Sequence, residues 1–403
     1  MKVDYGQLSL AQQLLERQDQ VHAKGMYDYV KAECELTPGD MGQLLLALYP
    51  LTVLSVVAGQ QVFRATGALA RASADAVDAT IKEYVAADEA AHDAFNRLMV
   101  QLGGSATPYA DPRSNLPTLG PAQSSADPGY GSPEGNIFQQ AAEEGSETGA
   151  FVRDSFGRVV GRVSGWTASG PGVVERNDPS SYLVKPQAGN SEMENLRWSA
   201  GPLLGGVDWI FEQLFHFSLL EDVIMKPITG NWEAIDESSI GWGHLGRAAF
   251  EMGENFTGLP EQTGTWEGEA ADMFRAAIAA MGAALVGLSV ACDYVSGLME
   301  KVSMVAQLGA TAILSSLGII TTLLLSAMAE GAIPVVGWIA AAATVAVIIS
   351  RIVTLVKAIY TIVNMIMDAI YDFIESKEKL VEVAFVVEDL VEYFSKTAVR
   401  AVT

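Results

Sequence analysis

No charged side chain occurs from Val302 to Ala329, and after a lone Glu330 none occurs from Gly331 to Ser350. As a helix, each stretch is long enough to cross a hydrocarbon layer of about 30 Å. Ala332-Ile333-Pro334-Val335-Val336-Gly337 reads as the turn between them. Such a segment has two places to go. One is a membrane hairpin, with Ile313 and Leu324 in the first arm, Glu330 and Pro334 at the tip and Trp338 in the second. The other is the centre of a bundle wrapped by the apolar faces of neighbouring helices. Gly, Ala, Ser and Thr dilute both arms, and the balance leans toward a buried core.

The rest of the composition is consistent with a large helical core. The chain has 403 residues, 50% of them apolar and 18% charged, enough for two or three domains at about 150 residues each. Its 48 acids against 25 bases leave a formal charge of -23 and a pI near 4.5, which repels phosphate backbones and excludes nucleic acid as a partner. Cys34 and Cys292 fall in no Cys/His cluster, so no disulfide framework, metal site or cofactor is expected. The amino terminus has Lys2 but no apolar run behind it, so a Sec-type signal peptide is not expected.

Three regions follow from local pattern. Residues 1–103 carry Leu10, Leu14, Val21, Val62, Leu69, Ala76, Ile81, Tyr84, Phe95 and Leu98 at mostly helical spacing, which predicts a helical hairpin. Thr37-Pro38-Gly39-Asp40 supplies the turn, Pro50 breaks or kinks the second run, and Gly103-Gly104-Ser105 ends it. Residues 104–190 change character: prolines from Pro108 to Pro133 alternate with Gly, Ser and Asp, which predicts a flexible linker. Within it, Phe151 to Val163 alternates weakly, as a short hairpin would. Residues 191–403 read as a helical bundle with apolar helices at 302–375. The fold class expected is all-α.

The clearest periodicity lies in this third region. Trp242, Leu245, Ala249, Met252, Phe256 and Leu259 step by three and four, and Ala270, Phe274, Ala277, Met281, Ala284, Leu288, Ala291, Val295 and Leu298 alternate four and three. Two antiparallel helices meeting along such seams give a hairpin over 228–300 with its turn near 260–266. At that turn stands Trp266-Glu267-Gly268. Thr265 is expected to cap the second helix, Gly268 to admit a neighbouring helix, and Trp266 to be displayed at the tip, as a partner-facing or an interdomain residue. The plainer alternative is a tryptophan that closes a local core.

A W-x-G at the apex of an antiparallel hairpin, with heptads on both arms, resembles the WXG superfamily of type VII (ESX) secretion substrates from actinobacteria. Tyr84-Val85-Ala86-Ala87-Asp88 in the first region matches the Y-x-x-x-D/E secretion signal of the same pathway. Tyr371 to Glu375 fits it as well, but Tyr84 and Asp88 follow a hairpin and precede the linker. The resemblance implies export without a cleaved signal peptide to the envelope or beyond. It implies as partners a secretion ATPase or chaperone and small WXG-type hairpin proteins. In the simple members the two motifs belong to separate hairpins that pair. Here they share one chain, so the two hairpins either pack on each other or each recruit a small protein.

Catalytic chemistry is poorly supplied. Gly241-Trp242-Gly243 lacks the strand and helix context of a phosphate loop. His216 reads as an amphipathic-helix residue, and His244, beside Trp242 in sequence, as a core histidine. The function expected is binding, with membrane insertion through 302–350 and a non-exported scaffold as alternatives.

Overall fold

The computed structural model describes residues 3–102, 104–131, 172–188, 216 and 226–330, together with 361, 364, 365, 368 and 372; side chains of the region from 226 to 330 are described between 228 and 319. The described residues are predominantly helical and hold no named strand, only an isolated parallel bridge between Ser124 and Asn177. The all-α class is therefore as expected.

The chain opens with α1 (Tyr5–Arg17), capped by Asp4, whose carboxylate accepts from the Gln7 N–H at 3.2 Å. A π-helical turn over Gln18–Ala23 carries it without a break into α2 (Lys24–Glu33). Thr37 and Asp40 form a capping box that starts α3 (Pro38–Leu45). After one 3₁₀ turn, α4 runs from Tyr49 to Gln101 with Pro50 in its first turn, where a missing N–H costs nothing. Contacts Tyr5 to Asp88, Asp19 to Arg71 and Tyr27 to Arg64 show α4 running antiparallel to the α1–α2 arm. Leu8, Leu14, Leu15, Met26, Val62, Phe63 and Leu69 bury themselves between the two.

The second half begins with the short α5 (Lys226–Thr229), then α6 (Trp232–Gln262) and α7 (Glu269–Glu330). Ser239 donates to the Ser296 carbonyl at 2.8 Å, and at Gly253 and Gly282 the two backbones come close. The second arm is therefore antiparallel to the first. Here α7 departs from expectation: the heptad helix and the first uncharged stretch are one element, so no boundary falls near 302. Ile313 is half-buried on α7, Leu324 and Glu330 belong to its last turns, and Pro334 and Trp338 lie outside the described residues.

The segment expected to be a flexible linker is held down wherever it is described. Residues 104–131 and 172–188 lie across the helices as two straps. Gln13 takes the Pro117 carbonyl and the Leu119 N–H, both at 2.9 Å. Asn255 accepts from the N–H groups of Arg176 and Asn177, each at 3.0 Å, and returns a bond to the Asn177 carbonyl at 2.8 Å. Local composition predicts flexibility because such a segment buries little of its own; here distant side chains satisfy its backbone instead. The hairpin expected at 151–163 lies outside the described residues.

Candidate functional site

The two sequence motifs meet. The turn between α6 and α7 reaches the flank of α4, and the Trp266 indole N–H donates to the Tyr84 hydroxyl at 3.3 Å. Trp266 is 2% exposed and packs on Phe274 with ring centroids 5.4 Å apart. It is therefore an interior residue between the two halves: the expectation of a handle displayed to a partner is corrected, and the interdomain alternative is the one the structure shows. The reason lies in the partner surface: α1 and α4 cover a face that would otherwise be the end of the hairpin.

The turn is fastened from several sides. Arg275, in the second turn of α7, donates to the carbonyls of Trp266 and, at 3.2 Å, of Thr263. Thr265 bonds to Gln7 of α1 instead of capping α7. Gly268 takes the capping place, its carbonyl receiving the Asp272 N–H at 3.1 Å. Its φ of +129° is a conformation that L side chains avoid, and a Cβ there would meet nothing within 4 Å. The glycine thus serves backbone conformation and not the close approach of a neighbouring helix.

Four residues along α4, Asp88 accepts from the Tyr5 hydroxyl at 2.6 Å. Burial, followed by this hydrogen bond and the charge of Asp88, holds the Tyr5 phenol well above its ordinary range, so it stays a donor. Asp88 itself remains exposed. The Y-x-x-x-D pair thus has its tyrosine turned to the second half of the chain and its carboxylate tied to the first helix with a face open to solvent. Of the second copy of this pattern, Tyr371 and Glu375 lie outside the described residues, while Asp372 pairs with Lys301 at 2.7 Å.

Sequence reasoning missed a second cluster, formed where the straps cross the π turn. Glu175 is buried and accepts from Arg17 at 2.6 Å, Gln18 at 2.9 Å and His22 Nε2 at 2.7 Å. The other nitrogen of His22 lies 2.7 Å from the Ser180 hydroxyl. Burial works against the Glu175 carboxylate, but hydrogen bonds from His22 and Arg17 outweigh it and hold its pKa below the ordinary value. These partners stand more than 150 positions apart, and no local spacing signals them.

The remaining histidines and cysteines divide between core and surface. His244 is a core residue, its Nδ1 2.9 Å from the Tyr29 hydroxyl and 3.2 Å from the Val184 carbonyl. Burial lowers its pKa, so it stays neutral. His216 sits in an exposed bend with φ of +58°, not in a helix. Cys34 and Cys292 are free and buried, and burial pushes both thiols up, keeping them protonated and unreactive. Among the described residues no group of His, Cys, Asp and Glu is arranged to hold a metal ion.

Comparison with known proteins finds no matching family model, no matching curated protein and no matching solved structure.

Proposed function

We propose that the chain is a substrate or associated protein of a type VII secretion system, acting at or beyond the cell envelope by binding other proteins. The observation that carries this reading is the Trp266 to Tyr84 hydrogen bond at 3.3 Å, which sets the W-x-G turn against the Y-x-x-x-D helix. In the family pattern those motifs belong to two hairpins that pair. In this chain α1–α4 and α6–α7 supply both, and the internal pairing supports a composite signal carried by one protein. The second half already covers the surface that a small hairpin partner would use, so the machinery itself, an ATPase or chaperone, is the favoured partner.

Export from cells that carry the pathway tests the reading. Tyr84→Ala and Asp88→Ala should each leave the protein folded and retained in the cell. Normal export of both variants at normal expression would sink it.

Membrane insertion is a second reading, supported by two helical segments long and apolar enough to cross a bilayer. Their most apolar windows are 39% buried in Pro38–Gln101 and 61% buried in Glu269–Ile319. The higher figure belongs to α7, which favours a core role for that helix over insertion.

A further inference from the structure

α4 runs on past the body of the protein. Val85 is the last of its buried residues, and none from Ala86 to Leu102 is buried. Phe95, Leu98 and Leu102 are 58%, 51% and 76% exposed. At about 100° per residue they fall within about 60° of one another around the helix, and Tyr84, Asp88 and Ala91 lie on the same line. The positions Tyr84, Asp88, Ala91, Phe95, Leu98 and Leu102 alternate steps of four and three, the period of a seam that a second helix fills. A single exposed leucine needs no explanation; three large apolar side chains in one register do.

The two shoulders of this seam differ. On one, the returning chain is fastened down: Asn96 donates to the Thr107 carbonyl at 2.8 Å, the Gly104 N–H reaches the Met99 carbonyl at 2.9 Å, and Tyr109 lies 5.4 Å from the His92 ring. On the other stand Ala87 and Ala94, both exposed, small enough to let another backbone come close. The helix end is thus braced on one side and open on the other.

Charge selects the occupant. Asp88 lies on the seam line and Glu89 beside its braced shoulder, Asp93 and Arg97 fall on the opposite face of the helix, and the Trp266 turn next to Tyr84 adds exposed Glu267 and Glu269. The negative field reaches Tyr109, whose phenol is raised by burial and then by Asp88, Asp111 and Glu89. A second copy of a chain with formal charge -23 would set like charge against like. A partner with basic flanks gains attraction at the same place.

We propose that Phe95, Leu98 and Leu102, continuing the line of Tyr84 and Asp88, form a docking seam for one amphipathic helix of another protein whose apolar stripe is bordered by Lys and Arg. The inference rests on the export reading for its physiological partner, but the contact itself is measurable without it.

The probe is a labelled single-helix peptide with Leu at the seam positions and Lys or Arg beside them; the control carries Glu beside them. The full-length chain should bind the basic peptide and not the acidic one. The variant F95S/L98S/L102S should bind at least about ten-fold more weakly with an unchanged circular dichroism spectrum, because few residues dominate such contacts. Val100→Ser, exposed but off the seam, should bind as the wild type does. Ala94→Gln, which fills the open shoulder while the apolar residues stay, should weaken binding and guards against a folding defect in the triple variant. Absence of binding to the basic peptide, or equal affinity of wild type and both seam variants, overturns the proposal. So does a dimer of the chain alone that the triple variant abolishes, because the occupant is then a second copy. Failure of the export reading shows separately, as normal export of both Tyr84→Ala and Asp88→Ala while peptide binding persists.

Discussion

His22 Nε2 lies 2.7 Å from Glu175 Oε1, joining a π-helical turn near the amino terminus to a strap that enters the fold 153 residues later. Both side chains are almost wholly buried. The bond is the centre of a network that includes Arg17, Gln18 and Ser180, with Asp178 Oδ1 3.8 Å from His22 Nδ1. A buried ionic group of this kind stabilises little against an apolar replacement, but removing one partner leaves the other uncompensated.

The first prediction concerns Glu175 and pH. Its folded pKa lies below the ordinary 4.5, so its contribution is complete above that value and is lost as pH falls below it. Urea midpoints measured from neutral pH down through the carboxylate range should fall for the wild type. Glu175→Gln should start lower, by at most about 3 kcal/mol because Arg17 is partly exposed to water, and should lose less on acidification. A variant with the same pH slope as the wild type would remove Glu175 as the cause.

Trp266→Ala should destabilise the protein by about 3 to 5 kcal/mol, the cost of truncating a buried aromatic. Lost export by that variant would therefore say nothing about recognition. Trp266→Phe keeps the ring contact with Phe274, removes the donor to Tyr84 and should cost less than about 1.5 kcal/mol. Chemical denaturation of the two variants checks the order.

Gly42 and Gly230 lie back to back, with φ of +58° and +95°. A Cβ on Gly42 would stand 2.3 Å from the Gly230 nitrogen, whereas one on Gly39, three residues away, finds only the Thr37 hydroxyl at 3.5 Å. Gly42→Ala should cost about 2 kcal/mol or more, from backbone strain and overpacking together. Gly39→Ala should be nearly neutral. Equal melting temperatures for the two variants would contradict the close approach of α3 to the residue that follows α5.

The burial of α7 bears on the membrane alternative. The full-length protein should purify without detergent and should release no dye from lipid vesicles at neutral pH. Dye release that grows as the pH approaches the pI near 4.5 would instead support insertion, since neutralised carboxylates approach lipid at lower cost.

Much of the helical framework was legible because burial repeats with the helix. Trp242, Leu245, Ala249, Met252, Phe256 and Leu259 are all buried on α6, and the turn expected at 260–266 falls between Gln262 and Glu269. Thr37-Pro38-Gly39-Asp40 was legible as turn chemistry, and the structure adds that Thr37 and Asp40 close a capping box and start α3 there. The continuity of α7 past 302 was not legible, because a change from a heptad seam to an uncharged run marks a change of surroundings and carries no signal that separates a helix boundary from a continuation.

The sequence by itself determined what nearest neighbours along the chain can enforce: helical period, turn chemistry, acidity and the two motifs. Tertiary structure decided which of them meet. Trp266 became interior because α1 and α4 cover it, and Tyr84 became its acceptor from 182 positions away. The straps at 104–131 and 172–188 became fixed because Gln13, Arg17, Asn255 and Gln262 answer their backbone groups from distant helices. Hydrogen bonds and buried contacts between residues so far apart leave no trace in local spacing, since any residue of the right chemistry serves once the fold has brought it near.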